Sequence, residues 1–462
     1  MLWWICKVTI ASILAYAVYL ILIRRFLSPS LNRLPHMPPD QPGILGWILG
    51  NSESLNTFAG HSDRFKAFRK QCQSDIFVAV AFFSKFVIVY DDDLIDFLAK
   101  DPLFIKMEEV RVLFEAAPHG LLTLEGHVHK KARQALIPFF SIENIKAIYP
   151  EMRTIALEFK SKLNTMKGPF DIMIPIQECT LDIICKVAFG YNLNSLTKTS
   201  VVTDAVATIL KSFEYSIWLL LRLLLPALNR LPIPYNRDRN AGFQTISSVI
   251  DTIILQRLAS ATANQDILTR ILAQVSTGDM PIRQLKDHMM TFLLAGHETT
   301  ASTVTWACVI LANHPHIQQA LRDSISSLEF DSLMDNEYLD KFVNEVIRIY
   351  PAVPSISREN TKPFDFKGIH YPKGTKFYYS QVCHGDSTND PRSFHIDRTF
   401  NFNGFWKGHR SCIGKQLAIV EVKLMLSVLV PHFHMQLKEP IVGHFKVVLR
   451  PDEVMMQLTP VK

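Results

Sequence analysis

Cysteine is scarce in this sequence, and the little there is does not pair. Seven occur in 462 residues: Cys6, Cys72, Cys179, Cys185, Cys308, Cys383 and Cys412. The total is odd and no C-x-x-C occurs, which argues against a disulfide framework and for a reducing compartment. A G-x-G-x-x-G fingerprint is also missing, so the chain carries no nicotinamide or flavin site of that kind. Basic blocks with interleaved aromatics are absent and the net charge is only +6, which excludes nucleic acid as a partner. No Ser/Gly-rich linker, charge block or internal repeat divides the chain. What is abundant is apolar bulk. At 48% hydrophobic residues, the composition supports a large core and rules out disorder.

The longest apolar run opens the chain. Residues 8–23 carry no charge. Extended back to residue 2, the run gives about 22 residues, or ~33 Å of helix, enough to cross a ~30 Å hydrocarbon core. Arg24, Arg25 and Arg33 follow it, whereas only Lys7 and the terminal amine precede it. That bias puts the remaining chain on the cytoplasmic side. A cleaved signal peptide is the alternative, but no small-residue cleavage site is present. We expect residues 1–25 to be a single membrane anchor, 26–50 a proline-rich hinge and 51–462 one large domain. Within the hinge, LPHMPPDQPG (34–43) reads as a stiff extended spacer.

Helical periodicity dominates beyond the hinge, over roughly 61–72, 127–138, 142–165, 175–190, 200–225, 240–260, 264–276, 283–313, 315–326 and 338–350. FVAVAFFSKFVIVY (77–90) reads as two apolar strands about a Ser-Lys turn, and strand signals return near 355–380 and 432–460. The expected fold class is mainly α with small β-sheets. SIWLLLRLLLPAL (216–228) is too uniformly apolar for a surface; it is either a buried helix or a second membrane-dipping element.

Chemistry concentrates at FWKGHRSCIG (405–414). A thiolate at Cys412 is a strong soft ligand for the metal of a planar cofactor. Gly408 and Gly414 let the backbone pass close to a flat ring. Ile413, Leu417, Val420, Leu424 and Val428 fall at helical spacing, so a helix starts just after Cys412 and its N-terminus favours a negative sulfur. Arg410 offers a cation to a carboxylate, and Phe405 covers the sulfur. For an isolated thiol, a buried cysteine beside a turn is the ordinary alternative. The ten residues resemble the F-x-x-G-x-R-x-C-x-G signature of the cytochrome P-450 superfamily, with every defining position filled. The resemblance implies Cys412 as the proximal ligand of haem b iron, with Arg410 beside a haem propionate.

Three further stretches occur in that family's order. By itself, Glu345 and Arg348 in NEVIRIYP (344–351) make an ordinary salt bridge one helical turn apart. The resemblance implies a buried triad with Arg398, although Ile396 stands where the family often has proline. FLLAGHETTAS (292–302) puts Gly296, Glu298, Thr299 and Thr300 into an apolar helix. Close helix packing and threonines bonded back to carbonyls would explain them. A zincin is excluded because Ala301 replaces the second histidine of H-E-x-x-H. The resemblance implies that Ala295 and Gly296 leave room for dioxygen while Glu298 and Thr299 relay protons. In GHVHKKARQALIPFF (126–140), His129 and Arg133 share a helix face. They read as a surface basic helix or, by resemblance, as haem propionate donors.

Together the likeness covers nearly the whole chain and is closest to the eukaryotic, membrane-anchored microsomal type. It implies a monooxygenase in the endoplasmic reticulum membrane, with its catalytic domain in the cytosol. Such an enzyme inserts oxygen from dioxygen into a small lipophilic substrate of lipid or secondary metabolism. Electrons come from NADPH through NADPH-cytochrome P-450 reductase, with cytochrome b5 as a second donor; Lys130, Lys131, Lys407 and Lys415 are candidates for its docking face. Family analogy offers Leu103, Phe104, Val110, Leu113, Phe114, Phe292, Leu293, Val353, Ile356 and Val454 as pocket walls, with few charges among them. Two rivals remain: a haem-thiolate isomerase or dehydratase that needs no reductase, and a non-catalytic membrane-bound haem carrier.

Overall fold

The computed structural model describes residues 29–43, 46, 49–81, 84–107, 115–198, 200–212, 231, 233–259, 266–278, 280–382, 392–398, 404–439, 441, 443–445, 448–451 and 453–461. The expected anchor, the cluster at 216–228, and Val110, Leu113 and Phe114 lie outside them. Among the described residues no helix is long and apolar enough to cross a membrane. The chain is mainly helical with small sheets, and it divides into two compact units.

The smaller unit comprises residues 1–107 and 355–382. Its five-stranded sheet runs in the order Ile76–Ala81, Ser84–Val89, Lys376–Ser380, Ser355–Asn360, Phe104–Ile105. Ser84 pairs with Ala81 and Lys85 with Val80, so both are strand residues and the reversal falls before them, not at a Ser-Lys turn. Phe104 packs edge-on against Phe97, Phe364 and Phe377 and is 2% exposed. It is a core residue of this unit, so it gives no support to a pocket-wall role. The proline segment makes a single β-bridge, His36 with Val78, and bends at 40–42, so it is docked rather than a free extended spacer. Val78 donates to the Pro35 carbonyl at 2.8 Å, Met37 donates back to Val78 at 2.8 Å, and Leu34 and Met37 are buried. Asp40 fixes the far end by accepting from Ser54 and Arg64.

The larger unit holds residues 108–354 and 383–462. Its axis is the helix Ile282–Asn313, packed on Met173–Phe189, which is in turn covered by Ile142–Thr165. Met173–Phe189 is apolar nearly all round, and such a helix is stable only when enclosed. Start signals are explicit at Ile142–Thr165, Ile267–Ser276 and Glu337–Ile349. Ser141 caps by accepting from Asn144, Asp266 from Thr269, and Asn336 from Leu339. Glu337–Ile349 buries Leu339, Phe342, Val343 and Val346 along one face. Two small sheets complete the unit: Phe170–Asp171, Met455–Pro460 and Phe433–Leu437, and the hairpin Gly443–Phe445 with Leu449–Pro451.

Candidate active site

Cys412 sits at the end of a loop whose backbone is tightly folded. Its amide donates to the Phe405 carbonyl at 2.8 Å, and Ser411 donates to Gly408 at 3.1 Å. Gly408 has φ +71°, a conformation that favours glycine, and buried Trp406 also lies in the left-handed region at φ +64°. The helix Lys415–Leu429 begins three residues beyond the sulfur. Gly414 has ordinary φ −85°, and a Cβ placed there would stand 3.8 Å from the Phe140 ring and 4.0 Å from the Cys412 sulfur. Neither backbone nor neighbours therefore require glycine at 414.

Cys412 is exposed, yet protein crowds the sulfur enough to push its thiol pKa up. Both hold for a recess that water touches but does not fill. Against that burial, a Gly414 hydrogen bond, Arg133 and Lys415 pull the thiol down. Arg133 lies on the helix Gly126–Leu136 and donates to Ser411 Oγ at 3.2 Å. Buried His129, one turn earlier, has its ring centroid 6.5 Å from that of His409. Arg410 donates from Nη2 to Glu125. Its side chain is 5% exposed, and Nη1 is buried without a hydrogen-bond partner among the described residues. Burial, and then Arg133, lower the Arg410 pKa, while Glu125 raises it. Lys415 lies over the Phe405 ring, Nζ 5.8 Å from its centroid.

Phe140 links this loop to the central helix, with its ring centroid 5.8 Å from that of Phe292. Just beyond Phe292, successive side chains of that helix take different directions. Ala295 is exposed and Thr299 half-buried, an opening in an otherwise buried helix. The Thr299 hydroxyl donates to the Ala295 carbonyl at 2.8 Å, and Thr300 to Gly296 at 3.1 Å. Gly296 turns elsewhere. A Cβ there would stand 3.0 Å from Ile184 Cδ1, so its missing side chain permits close packing of the two helices. Glu298 is 2% exposed and also points away from Thr299. It accepts from Gln177 Nε2 at 2.9 Å and from Arg450 Nη1 at 3.1 Å. His297 Nε2 lies 3.9 Å from it, and burial lowers that imidazole's pKa. Arg450 is held in place because the Leu449 carbonyl accepts from Ser302 and Trp306, one and two turns along the same helix face as Glu298.

Glu345 and Arg348 form a doubly bonded pair, Nε to Oε2 at 2.7 Å and Nη2 to Oε1 at 2.9 Å, with side chains 1% and 0% exposed. Arg398 Nε lies 3.2 Å from Glu345 Oε1, and the His395 amide donates to the same oxygen at 3.1 Å. Three contributors have no signature in the sequence. Glu125 reads as a helix-start acid, Gln177 as one polar residue in an apolar helix, and Arg450 as a strand cation.

A thiol recess flanked by two arginines, linked through Phe140 to a buried helix that opens at Ala295 and Thr299, fits a haem-thiolate protein. A model of the Cytochrome P-450 family matches residues 38–458, spanning both units, and the chain belongs to that family. Its similarity to individual members is modest but long. Cytochrome P-450 monooxygenase sphH of Aspergillus fumigatus is 27% identical over 96% of this chain and 92% of its own length. Cytochrome P-450 monooxygenase 128 of Postia placenta is 25% identical over 95% and 92%. Cytochrome P-450 4e5, mitochondrial, of Drosophila mettleri is 24% identical over 83% and 79%. Membership makes the protein an oxygen-incorporating monooxygenase with haem b held by a cysteine thiolate and electrons drawn from NADPH through a reductase. The residues fit that cofactor. Haem b carries two carboxylates, and the buried Nη1 of Arg410 lacks one.

Proposed function

We propose that this protein is a membrane-anchored monooxygenase acting on a small lipophilic substrate, with Cys412 as the thiolate that would hold haem b. The observation that carries the assignment is the Arg410 guanidinium, buried beside the cysteine with one arm unpaired. When bound, the haem supplies the activation of dioxygen, which electron donation from a thiolate favours. The chain's own residues do the rest. His129, Arg133 and Arg410 would hold the propionates. Arg133, Lys415 and a Gly414 hydrogen bond favour the anionic sulfur, and Phe405, whose carbonyl accepts from the Cys412 amide, would help to cover it once the cofactor is bound. Ala295 leaves space on the open face of the helix. Thr299 would donate a proton there, and Glu298, after turning away from Arg450 and Gln177 and taking up a proton from solvent, would pass that proton to Thr299. Glu345, Arg348 and Arg398 fix the chain that leads into the cysteine loop.

The apolar side chain of Phe292 near the opening supports a lipophilic substrate. Residues 1–25 supply the anchor, and the arginines that follow orient the enzyme toward the cytosol from the endoplasmic reticulum. NADPH-cytochrome P-450 reductase, with cytochrome b5 as a second donor, docks on a basic face that includes exposed Lys130, Lys131 and Lys415 and half-buried Lys407. The test is spectroscopic first. The reduced carbon monoxide adduct of the purified protein should show the red-shifted Soret band of thiolate ligation, and Cys412→Ala should abolish it. Protein that takes up no haem, or whose spectrum survives that substitution, overturns the reading. Reductase-driven NADPH consumption against a lipophilic library, with product mass spectrometry, then separates an oxygenase from a carrier.

A further inference from the structure

We propose that Glu125 is a positioning residue for Arg410, aiming its free arm at a carboxylate of the cofactor; the role rests on the haem-thiolate reading above. Glu125 is the N-cap residue of the helix Gly126–Leu136, the place where a side chain ordinarily accepts from the first amides of the helix. It makes no such capping bond. Its carboxylate instead reaches Arg410, 285 residues away in sequence. It accepts from Nη2, while Nη1 of the same guanidinium is buried and without a hydrogen-bond partner among the described residues. A guanidinium is a rigid planar fork, so holding one arm fixes the direction of the other.

The surroundings make that hold necessary. Arg133 is close enough to act on Arg410 as a like charge, and it donates to Ser411, the residue next to the cysteine. Without a carboxylate on its outer side, Arg410 would turn away from Arg133 toward solvent. The Arg410 side chain is 5% exposed and that of Glu125 is 23% exposed. The acid therefore stands at the mouth of the recess and the guanidinium deeper in. Glu125 thus supplies the restraint, and the ligand supplies the second carboxylate.

Haem retention tests this directly. Haem-loaded wild type, Glu125→Ala, Glu125→Gln, Arg410→Ala and the Glu125→Ala/Arg410→Ala double variant are mixed with excess apo-globin, and haem transfer is followed in the Soret region. Glu125→Ala should lose haem about tenfold faster, the scale of one charge-assisted hydrogen bond. Glu125→Gln keeps an acceptor oxygen in the same place and should recover most of that loss. The double variant should lose haem no faster than Arg410→Ala alone, because Glu125 acts only through Arg410. Retention unchanged or improved in Glu125→Ala means that its carboxylate merely repels the propionates, and it refutes the proposal. Additive losses refute it as well. If wild type takes up no haem, both readings fall; if Cys412→Ala and Arg410→Ala weaken binding while Glu125→Ala does not, only the positioning role falls.

Discussion

Replacing Glu345 with glutamine tests the buried triad with a change of one charge and almost no volume. Glu345 accepts two bonds from Arg348, at 2.7 and 2.9 Å, and one from the His395 amide at 3.1 Å, with Arg398 Nε at 3.2 Å. With both members of the central pair essentially unexposed, water cannot replace the lost acceptor. Glutamine keeps one acceptor oxygen and no charge for two arginines that already share the Ser393 carbonyl, at 3.4 and 3.0 Å. Removing one partner of a buried pair costs about 3–5 kcal/mol, against about 0–1 kcal/mol for an exposed pair. A domain has only about 5–15 kcal/mol to lose, so the deficit is large enough to measure. Urea unfolding of the haem-free wild type and Glu345→Gln reads it out. The same variant should also destabilise the thiolate spectrum, because His395 and Arg398 lie in the stretch leading to the cysteine loop. A loss below about 1 kcal/mol would mean that the triad behaves like a solvated salt bridge and that the physical argument for it is wrong.

Thr299→Ala should keep its haem but divert reducing equivalents from product to peroxide severalfold; unchanged coupling with reductase and substrate would remove Thr299 from proton delivery. Arg450→Gln takes away the cation that faces Glu298 at 3.1 Å. With no ion pair to leave, Glu298 should deliver protons more readily, so proton-limited turnover should rise and its solvent isotope effect shrink, with Arg450→Lys restoring part of the wild-type values; identical behaviour in all three proteins would leave the ion pair a packing feature. His61 gives a pH prediction for the smaller unit. Burial lowers its pKa from 6.5 to about 3, with Ser380 and the Leu55 carbonyl on its two ring nitrogens. The folded value lies below the unfolded one, so the unfolded chain binds the proton first and stability falls as pH drops below 6.5. Between pH 7 and pH 5 the loss should be about 2 kcal/mol. His61→Gln should lack that slope, and parallel curves would show that other groups set it.

Local patterns were legible wherever the physics is local. The apolar spacing after Cys412 announced the helix Lys415–Leu429, and the run before Pro315 announced Ile282–Asn313. Glu345 and Arg348 could be named as a pair from their spacing alone. Burial could not, because nothing in E-x-x-R says whether water reaches it; Leu339, Phe342 and Val346 on the same helix decide that by facing the core. The apolar period of Pro234–Ala259 begins only near 240, because the first turns of that helix are polar. Partners far apart in sequence left no trace. Glu125 with Arg410, and Glu298 with Gln177 and Arg450, meet only because the fold closes on them.

The central helix shows why a contiguous motif cannot be read as a contiguous site. At about 100° per residue, neighbours in an α-helix look in different directions. Ala295 and Thr299, four apart, share the open side, with the Thr299 hydroxyl bonded back to the Ala295 carbonyl. Gly296 meets Ile184 on the adjacent helix. Glu298, Ser302 and Trp306 share a third side, where Ser302 and Trp306 hold the Leu449 carbonyl and thereby aim Arg450 at Glu298. The acid and the alcohol are adjacent in the chain but face different surroundings, one dry and ion-paired, the other open. A proton passing between them therefore requires Glu298 to leave its pair. On the proposed relay, the strand carrying Arg450 would therefore help control proton delivery, although it lies about 150 residues further along the chain.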